Sequence, residues 1–244
     1  MRNIVIPAAG AGSRFIRAGH KLPKPFIDVA GKPMIERVLD NLAVPDGRYT
    51  LIMQREQALA HPEFFQRLED NYRCRFDWTV GVTEGACCTV LLAADTIDTN
   101  EPLLMANSDQ LVDVDIADFI GDADRRGLDG SILTFPADET KWSYARVGGG
   151  GLVTEVREKE VISPHATVGL YYFRWGQDFV SCAREMIAAD DRVNGEFYTC
   201  PVYNYAIRRG LRIGIYGIER TQMHGLGTPE DLDAYLAAQE VSVG

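Results

Sequence analysis

From residue 3 to residue 135, short apolar runs alternate with segments of helical character, and nothing else in the chain restricts its fold so strongly. Residues 3–8, 49–53, 76–80, 102–106 and 131–135 are each of strand length. Between them lie a helix starting near Pro33, with Met34, Ile35, Val38, Leu39 and Leu42 on one face, a polar-faced helix around 61–72, a largely buried helix over 85–97 and another around 116–126. Strands separated by helices pair in parallel and carry helices on both faces. The expected fold is α/β: a doubly wound, mostly parallel, Rossmann-like sheet.

After residue 135 the pattern changes. Residues 144–147, 152–158 and 167–173 read as antiparallel strands, and the glycine run 148–151 as a hairpin turn. A helix over 176–189 turns Phe179, Val180, Ala183, Met186 and Ile187 inward, a strand follows at 211–218, and a helix over 229–239 closes the chain. No repeat or low-complexity linker divides the 244 residues, so a single domain with an inserted antiparallel region is expected. The change of pattern divides the chain into a part over 1–135 and a part with the closing helix over 136–244.

Several classes are disfavoured. A net charge of −10 makes duplex nucleic acid a poor partner. The clearest apolar stretch, 85–94, is far shorter than the ~20 residues that span a bilayer, and the opening run is too short for a signal peptide. Five cysteines with no C-x-x-C spacing give neither a disulfide framework nor a zinc site, and fit a reducing cytoplasm. The charge is uneven: residues 1–40 hold seven Lys/Arg against three Asp/Glu. A basic opening on an acidic chain points to a local anion site.

Three groups of residues can carry chemistry. Gly10, Ala11, Gly12, Ser13 and Arg14 follow the first strand directly, with Pro23-Lys24-Pro25 beyond. Glycines there let backbone amides approach a phosphate, and Arg14 and Lys24 add fixed charge. The bland alternative is a mobile loop with solvated basic residues. Asp109, in Asn107-Ser108-Asp109-Gln110 at the end of the fourth strand, can hold Mg²⁺ through hard oxygen, or simply cap a helix or turn. Glu158-Lys159 ends a strand and could be no more than a solvated pair.

Taken together, these motifs resemble a family. Gly-Ala-Gly-Ser-Arg, Pro-Lys-Pro and Gly31-Lys32-Pro33-Met34 resemble the opening of the nucleotidyltransferases that make sugar nucleotides. Glu158-Lys159, Gly169-Leu170-Tyr171, Asn194-Gly195-Glu196 and Gly227-Thr228-Pro229-Glu230-Asp231 continue in that family's order. The nearest resemblance is to nucleotidyltransferases of bacterial capsule gene clusters, a branch that includes cytidylyltransferases with non-sugar acceptors. The resemblance implies a GT-A-like sheet and transfer of a nucleoside monophosphate, with a preference for CTP, to a sugar phosphate or small phosphorylated amino compound. Pyrophosphate would leave, and the product would serve capsule or surface polysaccharide synthesis. Gly10 to Arg14 would wrap the triphosphate and Lys24 meet its reacting phosphates. Ala8, Ala9, Gly85 and Cys88 would line the base pocket. Asp109 would hold Mg²⁺, and Glu158, Lys159, Gly169 and Glu196 would face the acceptor.

One position departs from the family. A second metal-binding Asp usually precedes the Gly-Thr-Pro by two residues, and here that position is Gly225, beside His224. Asp190, Asp191 or Glu196 could compensate, or Asp109 could act with phosphate oxygens alone. Two other functions stay open: a glycosyltransferase with Asp113 and Asp115 completing an acidic metal motif, and a non-catalytic nucleotide sensor. Oligomeric state, a homo-oligomer included, is open too.

Overall fold

A computed structural model describes residues 1–243; Gly244, the last residue of the expected domain, lies outside them. The first half runs β1 (Arg2–Pro7), α1 (Ser13–Arg17), β2 (Asp28–Val29), β3 (Lys32–Pro33), α2 (Met34–Asn41), β4 (Gly47–Gln54), α3 (Arg55–Ala60), α4 (Pro62–Tyr72) and β5 (Arg75–Thr79). It continues through α5 (Ala86–Val90), α6 (Ala94–Ile97), β6 (Leu103–Ala106), β7 (Gln110–Val112), α7 (Ile116–Arg125) and β8 (Gly130–Pro136). Then follow β9 (Ser143–Val147), β10 (Val153–Glu158), β11 (His165–Phe173), α8 (Gly176–Ala188), α9 (Val202–Arg208), β12 (Ile213–Gly217), β13 (Met223–Gly225) and α10 (Pro229–Val243).

The strands are apolar on both sides because both sides are covered. In β1, Ile4 and Ile6 enter one core and Val5 the other; in β4, Leu51 and Met53 oppose Ile52; in β6, Leu104 and Ala106 oppose Leu103 and Met105. That period of two is what a sheet buried on both faces requires. The first core takes most of its helical residues from α2, α4 and α7, and the second from α5, α8 and α9.

β5, β4, β1 and β6 pair in parallel in that order. β11 runs antiparallel to β6 on one side and to β8 on the other, and β12 is parallel to β8. β9 and β10 form an antiparallel hairpin that meets β11 where Ala166 lies opposite Tyr144. The glycine run closes that hairpin: the Gly148 amide donates to the Leu152 carbonyl at 2.8 Å. The fold is a mostly parallel sheet flanked by helices, as the alternation of elements requires. The cysteines are unpaired, and among the described residues no helix is long and apolar enough to cross a membrane.

Short elements differ from expectation. The loop expected over 10–25 contains α1 and a 3₁₀ turn at Lys24–Phe26. α1 has five residues and buries only Phe15, so it is too short to show a helical period. The single helix expected over 85–97 is α5, a 3₁₀ turn at Leu91–Ala93 and α6. β7, β13 and α9, which had no counterpart in the expectation, are also short.

Candidate active site

The carboxyl ends of β1 and β6 open into a cleft of about 630 Å³, at the edge where open α/β sheets bind ligands. After β1 the chain leaves the sheet through Ala8 and Ala9, both buried. The Gln54 side-chain amide fixes the exit by donating to the Ala9 carbonyl at 2.7 Å. Gly10, Gly12, Ser13 and Arg14 line the cleft. Among the described residues, the amides of Gly10, Ala11, Gly12 and Ser13 donate to no backbone carbonyl. Free amides beside a cleft are the donors that cradle phosphates.

Lys24 enters the same space. Its neighbouring prolines restrict the backbone, and Pro25 and Phe26 are buried. The ammonium lies 5.7 Å from the Phe15 ring centroid and pairs with the Asp109 carboxylate. The two side chains are only 17% and 23% exposed, so the pair is partly desolvated.

Asp109 lies between β6 and β7, and its carbonyl accepts from the Leu226 amide at 2.7 Å. It caps no helix, because the cap of α7 is Asp115, which accepts from the Ala117 amide at 2.8 Å. Asp113 meets His224 at 2.7 Å. Neither Asp113 nor Asp115 lines the cleft, so the acidic motif of a glycosyltransferase is not assembled there. β13 pairs with β7 and sets Gly225, Gly227 and Thr228 along the wall beside Asp109.

Asp231, at the start of α10, also lines this wall. Its amide donates to Thr228 Oγ1 at 3.1 Å, which is an N-cap interaction. The sequence reading missed this residue, because Thr-x-x-Asp ahead of an apolar run signals a helix start. The carboxylates of Asp109 and Asp231 offer hard oxygen of the kind Mg²⁺ takes. Among the described residues there is no group of three or more His, Cys, Asp or Glu poised for a metal. The residues expected to compensate for Gly225 lie elsewhere: Asp190 pairs with Arg192 at 2.5 Å, and Asp191 accepts from the Tyr205 hydroxyl at 3.0 Å. Neither lines the cleft, nor does Glu196.

The far end of the cleft is built by the hairpin and β11. Lys159 Nζ donates to the Tyr198 hydroxyl and lies 4.5 Å from its ring centroid. Lys141 lies 4.9 Å from the Trp142 ring centroid. Lys141, Trp142 and Tyr198 line the cleft and were missed, since no local pattern marks them. Gly169 occupies the register shift of β11 with φ +99°; a Cβ there would stand 2.2 Å from Asn107 Nδ2. The Glu158 carboxylate accepts from Ser143 Oγ.

Burial pushes the Glu158 carboxyl above the usual range; nearby Glu196 adds to this, while Ser143 and Lys159 oppose it. A carboxyl whose folded-state pKa is raised costs stability once pH passes from the ordinary Glu value of ~4.3 through the raised one. Glu158→Gln therefore raises Tm at pH 7, and the gain disappears below pH ~4. Melting curves across that range check the sign.

Gly85 and Cys88 do not line the cleft; Ala86 between them does. Gly85 has φ +136°, and a Cβ would stand 2.4 Å from the Phe197 carbonyl oxygen. It stands at a close backbone crossing with Phe197. Cys88 is half-buried beside Glu84 and Arg192. Gly85→Ala is expected to cost about 1–3 kcal/mol through overpacking, measured by urea unfolding.

Comparison with known proteins gives a family and a fold. The family model described as Nucleotidyl transferase matches residues 3–195. No curated protein matches the sequence. Among solved structures, the chain is similar to a nucleoside-diphosphate-sugar pyrophosphorylase from Vibrio cholerae RC9, at 25% identity over 96% of this chain and 99% of that one, with a TM-score of 0.78. A UDP-glucose pyrophosphorylase complexed with UDP-glucose shares the fold at 17% identity over 99% of each chain, with a TM-score of 0.79.

Proposed function

The chain belongs to the nucleotidyl transferase family, and on that premise we propose that its cleft transfers a nucleoside monophosphate from a nucleoside triphosphate to a phosphorylated small-molecule acceptor. The observation that carries this reading is the pairing of Lys24 with Asp109 beside the free amides of Gly10 to Ser13. One wall thus offers amides and cations to a triphosphate, and the other presents Lys141 and Lys159. The printed name of the V. cholerae relative, a nucleoside-diphosphate-sugar pyrophosphorylase, supports the same reaction class.

An oxygen of the acceptor phosphate attacks the α-phosphorus, the bond to the β-phosphate bridge breaks in line, and pyrophosphate leaves. The nucleophile is already anionic, so positioning and charge neutralisation matter more than acid–base groups. The amides of Gly10 to Ser13 and the Arg14 guanidinium hold the triphosphate. Lys24 faces the charge that develops around the α-phosphorus. Lys159 holds the acceptor phosphate, Glu158 and Gly169 shape the acceptor end, and Glu196 acts on that end through the field it exerts on Glu158. Mg²⁺, held by Asp109, would neutralise phosphate charge when bound.

In this proposal residues 1–135 bind the nucleotide and 136–244 supply the acceptor side. The acceptor is a sugar phosphate or small phosphorylated amino compound, and CTP is the preferred nucleotide. A cytoplasmic role in surface polysaccharide synthesis follows from the capsule-type motifs. A pyrophosphate-release screen tests the reading: four ribonucleoside triphosphates and dTTP, each against sugar-1-phosphates and phosphorylated amino compounds. Release of pyrophosphate with any pair supports it. Hydrolysis of a nucleotide sugar to a nucleoside diphosphate, or binding without turnover, overturns it.

A further inference from the structure

We infer that Asp231 is the second protein carboxylate of the metal–nucleotide site, reached from the first turn of α10 instead of from position 225. This rests on the nucleotidyltransferase reading and names a residue that neither the motifs nor the family match assigns. Asp109 and Asp231 face the same space across Gly227. A Cβ on Gly227 would stand 3.2 Å from Asp109 Oδ2 and 4.0 Å from Asp231 Oδ2, so the two oxygens are at most 7.2 Å apart. Any side chain at 227 would wedge between them.

Gly225 completes the arrangement. The three nearest atoms to a Cβ there all belong to Asp231: Cγ at 3.8 Å, Oδ2 at 3.9 Å and Cβ at 4.0 Å. A carboxylate at 225 would thus share its space with Asp231. With glycine there, Asp231 has that space to itself. The wall is fixed by backbone: Gly225 is registered opposite Gln110, and the Leu226 amide donates to the Asp109 carbonyl. The Asp231 carboxylate has no hydrogen-bond or ion-pair partner among the described residues. Mg²⁺ commonly rests on one or two carboxylates plus substrate phosphates and waters. Asp109 and Asp231 supply that number, where Asp190, Asp191 and Glu196 do not reach.

A competing account makes Asp231 only a helix-start acid, favourable near the α10 amides. That account predicts a change in stability and none in metal affinity. Mn²⁺ is the probe, titrated into the full chain and followed by the EPR signal of the free ion. Asp231→Asn is expected to weaken Mn²⁺ binding at least tenfold. Gly225→Asp added to Asp231→Asn should recover most of the loss. Glu230→Gln, which removes an acid from the same turn without touching the cleft, should bind as wild type does. Wild-type affinity in Asp231→Asn overturns the inference, as does an equal loss in Glu230→Gln, which would indicate a general field effect. If Asp231→Asn does not fold, Asp231→Glu keeps the helix-start charge and is expected to change the ratio of Mn²⁺ to Mg²⁺ affinity; an unchanged ratio counts against ligation. The two proposals fail separately. A chain active in the pyrophosphate screen with unaltered Mn²⁺ binding in Asp231→Asn loses only the Asp231 assignment. A wild-type chain that binds no Mn²⁺ and releases no pyrophosphate loses both.

Discussion

Replacing Lys24 with alanine lowers the turnover number by about a hundredfold while leaving nucleotide affinity within a few-fold of wild type. Its ammonium is held by geometry rather than by chance. Pro23 and Pro25 restrict the backbone on either side, Phe26 is buried behind it, and Phe15 lies under the side chain. A cation fixed in a cleft is worth most where charge develops during the reaction, because no reorganisation is needed at that moment. Removing one such stabiliser typically costs ~3 kcal/mol of transition-state energy. The free amides of Gly10 to Ser13 and the exposed Arg14 remain in the variant and continue to bind the triphosphate. The measurement is kcat and KM with the nucleotide and acceptor found by the pyrophosphate screen, together with nucleotide affinity by calorimetry. Near-normal turnover in the folded variant would remove Lys24 from the chemistry.

Asp109→Asn is expected to abolish Mg²⁺-dependent activity, by a hundredfold or more at limiting Mg²⁺, and to leave the fold intact. Asparagine keeps the size of aspartate and one carbonyl oxygen, but loses the charge that a hard cation and Lys24 both require. The helix-cap role is excluded by position, since Asp115 caps α7 and Asp109 belongs to the turn between β6 and β7. The backbone contact to Leu226 involves the carbonyl and survives the change. A melting temperature close to wild type with activity lost is therefore the signature. Unchanged rates at limiting Mg²⁺ would show that the carboxylate serves only its pairing with Lys24.

The parts of this site legible in the sequence were those written locally. A short apolar strand followed by Gly-Ala-Gly-Ser-Arg reads as a candidate anion loop because strand, turn and charge are adjacent, and the structure sets that turn along the cleft. Asp109 was legible from the end of a strand with polar residues after it. What escaped depends on contacts between distant segments. Asp231 is brought to Asp109 only when β13 pairs with β7, and each of those strands has three residues. Asp190 and Asp191 looked equally suitable until Arg192 and Tyr205 came into contact with them. The placement of Gly85 likewise depends on a distant segment. The segment from Gly85 to Cys88 is compatible with a pocket wall, yet the backbone of Phe197 crosses it and leaves Ala86 to face the cleft. α1, α5 and α9 were blurred or lost because elements of five to seven residues do not complete a repeating pattern.

The reversed strand β11 ties the two ends of the cleft to one another. It is bonded to β6 on one side and to β8 on the other, and its register shift carries Gly169 into the cleft. The strands behind the Gly10–Arg14 turn and the hairpin that leads to Lys159 are therefore joined through one shared strand. A change in β11 that disturbs this pairing is therefore expected to register at both ends of the cleft together.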